Sequence, residues 1–302
     1  MKVLSVICNL CPRKCGAERT ENSGSGLCGE GLSPRIARAA LHFDEEPVIS
    51  GNGGSGAVFF SGCTLKCVFC QNYNISHENF GETVSPERLR EIYFELIAQG
   101  ARNINLVSGT HFVPAILASL KDGLPVPVVW NSSGYERTET LKALEGTVNV
   151  YLPDFKYMDG ELAKRLSGAE DYPEVACEAI GEMLRQTGKA AFDENGNITR
   201  GTIIRHLVLP GQLSNTKQVL RRIKWDFEDA YVSLMAQYVP MGRACEYPDI
   251  NRRLAQEEYD EAVEYLERMG IENGFTQQCA AAETKYTPAF DLTGVKKTEG
   301  GN

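Results

Sequence analysis

GSGAVFFSGCTLKCVFCQN, residues 54–72, joins an apolar, β-rich run to a loop that carries three cysteines within eight positions. Residues 57–60 predict a buried strand. Ser61 and Gly62 then turn the chain into Cys63-x3-Cys67-x2-Cys70, so the cysteines sit in the loop that follows the strand. Working outward, five more β-rich runs follow at 104–107, 126–130, 148–152, 203–209 and 231–238, each succeeded by an amphipathic segment. The first such helix is opened by Ser85 as N-cap with Pro86 at N1, carries Leu89, Ile92, Tyr93, Leu96 and Ile97 on one face and stops at Gly100. Later helices are predicted at 114–121, 139–145, 173–187, 215–224 and 256–269. Six consecutive βα units specify an α/β fold with a parallel sheet covered by helices, either open and doubly wound or curled toward a barrel. Eight would close a barrel; six predict a (βα)6 partial barrel whose function gathers at the C-terminal ends of the strands. The segment before residue 51 lacks this alternation and is expected to form a small cysteine-rich appendage (1–50) beside the barrel (51–290), with a polar tail at 291–302.

The chain has 302 residues, 42% hydrophobic and 24% charged, which is the composition of a folded globular protein. Its net charge of −9 opposes a phosphate backbone and argues against a nucleic-acid partner. The N-terminal apolar stretch is broken by polar residues too early for a secretory or membrane-spanning segment, so a cytoplasmic protein without a membrane partner is expected. In a reducing compartment ten cysteines point to metal ligands or catalytic groups rather than disulfides.

Cys63, Cys67 and Cys70 supply three thiolates from one loop. That set can hold three irons of a [4Fe–4S] cluster and leave the fourth open to a ligand; a zinc site short of its fourth ligand and three incidental core cysteines are the alternatives. Cys8-x2-Cys11-x3-Cys15-x12-Cys28 offers four thiolates in 21 residues. This second metal site suits tetrahedral zinc or an auxiliary iron–sulfur cluster, and the spacing does not choose between them. The glycine-rich, weakly apolar stretch 16–31 could hardly fold without such a metal. Cys177, Cys245 and Cys279 are scattered singly and read as ordinary thiols. Gly51-x-Gly53-x-x-Gly56 matches a dinucleotide-binding fingerprint in letters only, because it precedes a strand instead of linking a strand to a helix. No GxxxxGK, HExxH or GxSxG stretch occurs.

Polar residues close the later strands. Asn131 and Ser133 end the third run on one side by the period of two, Asp154 and Lys156 end the fourth with the same spacing, and Gln237 ends the sixth. Arg205 and His206 are adjacent on the fifth, so only one of them can face the barrel interior.

The spacing Cys63-x3-Cys67-x2-Cys70, with the aromatic Phe69 before the last cysteine, resembles the signature of the radical S-adenosylmethionine superfamily. The resemblance implies a [4Fe–4S] cluster whose open iron chelates S-adenosylmethionine, and an electron from a low-potential donor of the flavodoxin or ferredoxin type. The S–C5′ bond then breaks to give a 5′-deoxyadenosyl radical, which takes a hydrogen from the substrate. It also places Ser108, Gly109 and Thr110 where the superfamily commonly has a Gly-Gly-Glu-like segment against the methionine amino group, although the Glu is absent here. Asn131 and Ser133 fall where the cofactor's ribose or carboxylate would lie. Asp154-x-Lys156 is similar to the Asp-Leu-Lys of glycyl-radical activating enzymes, and Pro210-Gly211 to their Val-Pro-Gly turn. CNLCPRKCG (8–16) and GLCGEG (26–31) resemble a family related to pyruvate formate-lyase activating enzyme. Activators with extra clusters carry the added cysteines after the triad, whereas here no cysteine lies between 70 and 177. The expectation is therefore a radical enzyme acting on a protein or peptide, a glycyl-radical enzyme among them. A small-molecule substrate is the runner-up, and a non-catalytic iron–sulfur or zinc protein, electron carrier or sensor, is the rival class.

Overall fold

The computed structural model describes residues 5–277 and 288–297; Cys279 lies outside them. Eight strands carry the sheet: β1 (Arg35–His42), β2 (Ser55–Phe60), β3 (Ile104–Val107), β4 (Val128–Ser132), β5 (Val150–Pro153), β6 (Ile198–Leu207), β7 (Tyr231–Met235) and β8 (Gly274–Thr276). Their spatial order is β8-β7-β6-β5-β4-β3-β2-β1, with the short Glu82–Thr83 strand beyond β1 and Ala191–Phe192 paired to β6. From β2 to β8 every neighbour is parallel. The strands β2–β7 are the six expected from the sequence, and the sheet is an open, partial barrel with distinct edges rather than a closed ring.

Among the described residues, seven helices longer than a single turn flank it: α1 (Pro86–Ala98), α2 (Val113–Leu120), α3 (Thr138–Lys142), α4 (Gly160–Ser167), α5 (Tyr172–Thr187), α6 (Leu213–Asp226) and α7 (Gln256–Arg268). In α1 the Ser85 side chain accepts from the Arg88 amide, and Leu89, Ile92, Tyr93 and Leu96 are buried, which fixes this helix against Val58, Phe60, Ile104 and Leu106. Alternation along each strand separates two layers. Val58, Phe60, Ile104 and Leu106 face the helices, while Ala57, Phe59 and Val107 face the interior. Deeper in that interior, Val129, Val150, Leu152 and Ile203 pack with Ile49. Ile104–Val107 falls where expected, most other strand ends shift by one to three residues, and β6 starts five residues early, at Ile198. Pro127 has no amide hydrogen to give the ladder, so β4 starts at Val128, whose amide is taken by Asn149 Oδ1 at 2.8 Å.

The sheet also holds what the alternation did not signal. β1 runs antiparallel to β2 from Ile36↔Phe60 to His42↔Ser55, so the hydrogen-bonded sheet extends across the position 50/51 boundary. Residues 291–295 run along it in turn, with Leu292 N donating to Ala37 O and Ala39 N to Thr293 O; Val295 is buried. Lys296 and Lys297 pair with Glu82 and Glu91. Among the described residues no helix is long and apolar enough to cross a membrane.

Candidate active site

At the C-terminal ends of the strands lies a cavity of about 230 Å³. The triad forms one wall. β2 ends at Phe60, and Gly62 takes a left-handed turn (φ 76°) that only glycine adopts without strain here, since a Cβ would meet Cys28 O and the Glu30 side chain. Cys63, Cys67 and Cys70 all line the cavity. Each sulphur has donors: Cys63 Sγ receives Leu65 N and Lys66 N at 3.4 and 3.5 Å, Cys67 Sγ receives Ser167 Oγ at 3.1 Å, and Cys70 Sγ receives Ser76 Oγ at 3.3 Å. Burial and then the neighbouring Cys63 push the Cys70 thiol up to about 12, and burial pushes Cys67 up as well. Three thiols on one wall, two of them raised by burial and by the neighbouring Cys63 and each offered N–H or O–H donors, form a set that a positively charged metal group would ionise. This donor set fits a cluster with three protein ligands. Phe69 is buried on the same wall, its ring 5.8 Å from that of Tyr238, and Gln71 Nε2 ties the loop to Gln237 O at 3.0 Å.

The strand ends that line the same cavity supply a charged network, with Lys156 close enough to Cys67 to act against the rise of its thiol. Arg205 Nε donates to Asp154 Oδ1 at 2.9 Å, Lys156 Nζ to Asp154 Oδ2 at 2.6 Å, and Arg205 Nη2 to Asn131 Oδ1 at 2.6 Å. Burial alone would push the Asp154 carboxyl up; Arg205 and Lys156 outweigh it and hold it below the usual carboxylate range. Asn131, Ser133, Asp154, Lys156, Arg205 and Gln237 all line the cavity.

Two sequence candidates stand elsewhere. His206 turns away, as alternation requires, and is satisfied by Phe155 O at 2.7 Å and Thr216 Oγ1 at 3.0 Å; burial lowers it to about 4. Gly109 backs onto Ile116 and Trp130. Of the 108–110 segment only Ser108 lines the cavity, at a left-handed φ of 62° that is uncommon for a residue with a Cβ. Thr110 points down instead, donating to Glu136 Oε1 at 2.7 Å, and Glu136 also takes Trp130 Nε1 at 3.0 Å and Ser132 Oγ at 2.7 Å. A carboxylate from the loop after β4 thus anchors the end of β3 from beneath.

Sequence reasoning missed the end of β1 and the residues that follow it. His42, Asp44 and Glu45 line the cavity with Pro288. Glu45 takes Asn105 Nδ2 at 3.1 Å and Asn131 Nδ2 at 3.3 Å through Oε1, and Arg205 Nη1 at 3.4 Å through Oε2. Beside it Glu46 is buried, and burial first of all pushes its carboxyl up to about 7 against the lowering effect of Arg205. The acidic run DEE at 44–46 was the available signal, unreadable without knowing that β1 delivers it to the barrel mouth.

The quartet lies apart from the cavity lining. Cys15 is exposed, and Cys8, Cys11 and Cys28 are half-buried. Among the described residues no three His, Cys, Asp or Glu side chains stand as a finished single-ion site, those of the triad included.

Residues 57–223, more than half of the chain, match the family model of the Radical SAM superfamily. The uncharacterized protein MJ0674 of Methanocaldococcus jannaschii is 33% identical over 277 residues, covering 88% of this chain and 75% of that protein. Among solved structures, SuiB of Streptococcus suis bound to the precursor peptide SuiA superposes with a TM-score of 0.52 at 14% identity, over 73% of this chain and 47% of SuiB. SuiB bound to S-adenosylmethionine gives the same score over 49% of its length. The chain thus spans about half the length of SuiB, and at this identity the likeness is one of fold. With the family match over β2 to α6 and the three cysteines of its signature on one cavity wall, the chain belongs to the Radical SAM superfamily.

Proposed function

We propose that this chain is a radical enzyme that reductively cleaves S-adenosylmethionine and abstracts a hydrogen atom from a peptide or protein substrate, a glycyl-radical enzyme among the candidates. The observation that carries the reading is the single cavity in which Cys63, Cys67 and Cys70 face Asn131, Ser133, Asp154, Lys156 and Arg205. When bound, the cluster supplies one electron to S-adenosylmethionine and so the 5′-deoxyadenosyl radical. The protein's own part is positioning and exclusion of water. Ser108 presents backbone at the end of β3, and Asn131 and Ser133 present polar groups for the cofactor's ribose or carboxylate. Asp154, locked between Lys156 and Arg205, fixes one part of the wall, and Gln237 lines the cavity just past β7. A flavodoxin- or ferredoxin-type donor in the cytoplasm supplies the electron.

An open sheet edge supports the polypeptide substrate, because an unclosed barrel admits a chain segment; SuiB, of similar fold, is crystallised with a precursor peptide. A small-molecule substrate is the second reading, favoured by His42, Asp44 and Glu45 walling part of the mouth. The test is electron paramagnetic resonance on reduced enzyme, S-adenosylmethionine and each glycyl-radical protein of the same genome. A stable doublet on one of them supports the activase form. Silence with all, alongside 5′-deoxyadenosine formation stimulated by a small molecule, favours the second reading. No S-adenosylmethionine cleavage with a loaded cluster favours a non-catalytic iron–sulfur carrier or sensor.

A further inference from the structure

Residues 5–31 fold back on the barrel with almost no core of their own. Ala17 is the one buried apolar side chain among them, and their only strands are the two-residue pair Val6–Ile7 and Glu18–Arg19. What holds the segment to the body is polar. Arg137 Nη1 and Thr140 Oγ1 donate to the carbonyls of Asn9 and Leu10 at 2.6 and 2.7 Å. Asn79 Nδ2 donates to Cys28 O at 2.7 Å. Arg19, itself buried, donates to Glu30 O at 3.0 Å and His111 O at 2.7 Å, and its Nη1 lies 3.6 Å from Cys8 Sγ. A segment this poor in apolar burial needs a crosslink to hold one conformation.

The four cysteines are where that crosslink would form. Cys8 and Cys11 stand on the strip pinned by Arg137 and Thr140, and Cys28 on the strip pinned by Asn79. Cys15 and Cys28 approach the same space at Gly26, where an added Cβ would lie 3.1 Å from Cys15 Sγ and 3.9 Å from Cys28 Sγ. Within the same motif, between Cys11 and Cys15, Arg13 reaches into the triad loop. Its Nε donates to Thr64 O at 2.9 Å, its Nη2 to Leu65 O at 3.0 Å and Ser167 O at 2.7 Å, and its Nη1 to Gly168 O. Its guanidinium lies 5.1 Å from the Tyr135 ring centre. Thr64 and Leu65 lie between two triad cysteines, and Ser167 is the residue whose hydroxyl donates to Cys67 Sγ at 3.1 Å.

We infer that Cys8, Cys11, Cys15 and Cys28 hold a thiolate-bound metal centre, zinc or an iron–sulfur cluster, and that this centre sets Arg13 as a positioning residue for the triad loop. The guanidinium is a planar fork that spans four carbonyls from two loops at once. Ordering the quartet therefore orders Thr64, Leu65 and Ser167 around Cys63 and Cys67. The metal assignment stands apart from S-adenosylmethionine cleavage, whereas the coupling rests on the triad holding a cluster.

Three variants of the full chain, purified anaerobically, test both parts. With Cys63, Cys67 and Cys70 all changed to Ala, elemental analysis should find about one zinc or about four irons per chain. Either result supports the centre, and neither metal overturns it. Gly26→Ala in that background should lower metal retention, and unchanged retention counts against the site. With both motifs intact, Arg13→Ala should keep the quartet's metal but release triad iron to a chelator about tenfold faster, in the range of lost outer-shell contacts, with Arg13→Lys between the two. The resonance spectrum of the reduced triad cluster should change in parallel. Release and spectrum identical to the parent would overturn the coupling, whatever the activity.

Discussion

Arg205 and Asp154 are joined twice: their backbones form a parallel bridge at the ends of β6 and β5, and Arg205 Nε donates to Asp154 Oδ1 at 2.9 Å. The same guanidinium reaches Glu45 Oε2 at 3.4 Å, so one cation holds two carboxylates, one from the segment after β1 and one from the end of β5. Removing it leaves both without that partner in a site where each is at most 16% exposed. Arg205→Met is expected to cost about 3–5 kcal/mol of stability, the scale of a broken buried pair. Activity should fall about a hundredfold through misplacement of the cavity wall. Urea unfolding and 5′-deoxyadenosine assays measure the two; a change under about 1 kcal/mol would show the network to be solvated rather than structural.

Glu136 carries the end of β3. Glu136→Ala would strand the Trp130 indole, Thr110 and Ser132 donors, at about 1–3 kcal/mol for each buried group left unsatisfied. Glu136→Gln keeps one acceptor oxygen and should cost less. Because Ser108 sits two residues from Thr110, both variants should raise the KM for S-adenosylmethionine. An unchanged KM would separate Glu136 from cofactor positioning.

His111 and His206 give a pH dependence of one sign. Burial lowers them to about 3 and about 4, below an unfolded value of about 6.5. The unfolded chain therefore takes up protons first as pH falls, and stability present above pH 6.5 is lost progressively toward pH 4, at about 1.4 kcal/mol per pH unit for each. Imidazole resonances should show both rings neutral at pH 5. A ring titrating near 6.5 would contradict its burial.

Glu46 works the other way. Its carboxyl, raised to about 7 chiefly by burial, keeps its proton in the folded chain where the unfolded chain loses it near about 4.3. Its contribution is complete below that value and is lost as pH rises to about 7. Glu46→Gln should gain stability relative to the parent between pH 5 and pH 8, read from urea midpoints at the two pH values; an equal difference at both would place the proton elsewhere.

The six parallel strands β2–β7 were legible because each is a short apolar run followed by a helical repeat, and the triad was legible because cysteine spacing is set by the loop alone. β1 was not, since Arg35–His42 reads RIARAALH, with three alanines that strands disfavour. Its partner β2 and the 291–295 strap stabilise it instead, which are tertiary contacts no local window contains. Asp44 and Glu45 were lost with it. α4 carried a readable cap, Asp159 accepting from Leu162 N at 3.1 Å, but its eight residues were too short to stand out as a repeat. The period of two limited Arg205 and His206 to one interior side chain, and the Arg205 guanidinium, lining the cavity and donating to Asp154, shows it to be Arg205.

The central claim is tested most directly by incubating anaerobically reconstituted, dithionite-reduced protein with S-adenosylmethionine and quantifying the products. The account predicts 5′-deoxyadenosine and methionine in equal amounts, abolished in Cys63→Ala, Cys67→Ala or Cys70→Ala. Intact S-adenosylmethionine in the presence of a fully loaded, reduced triad cluster would contradict it.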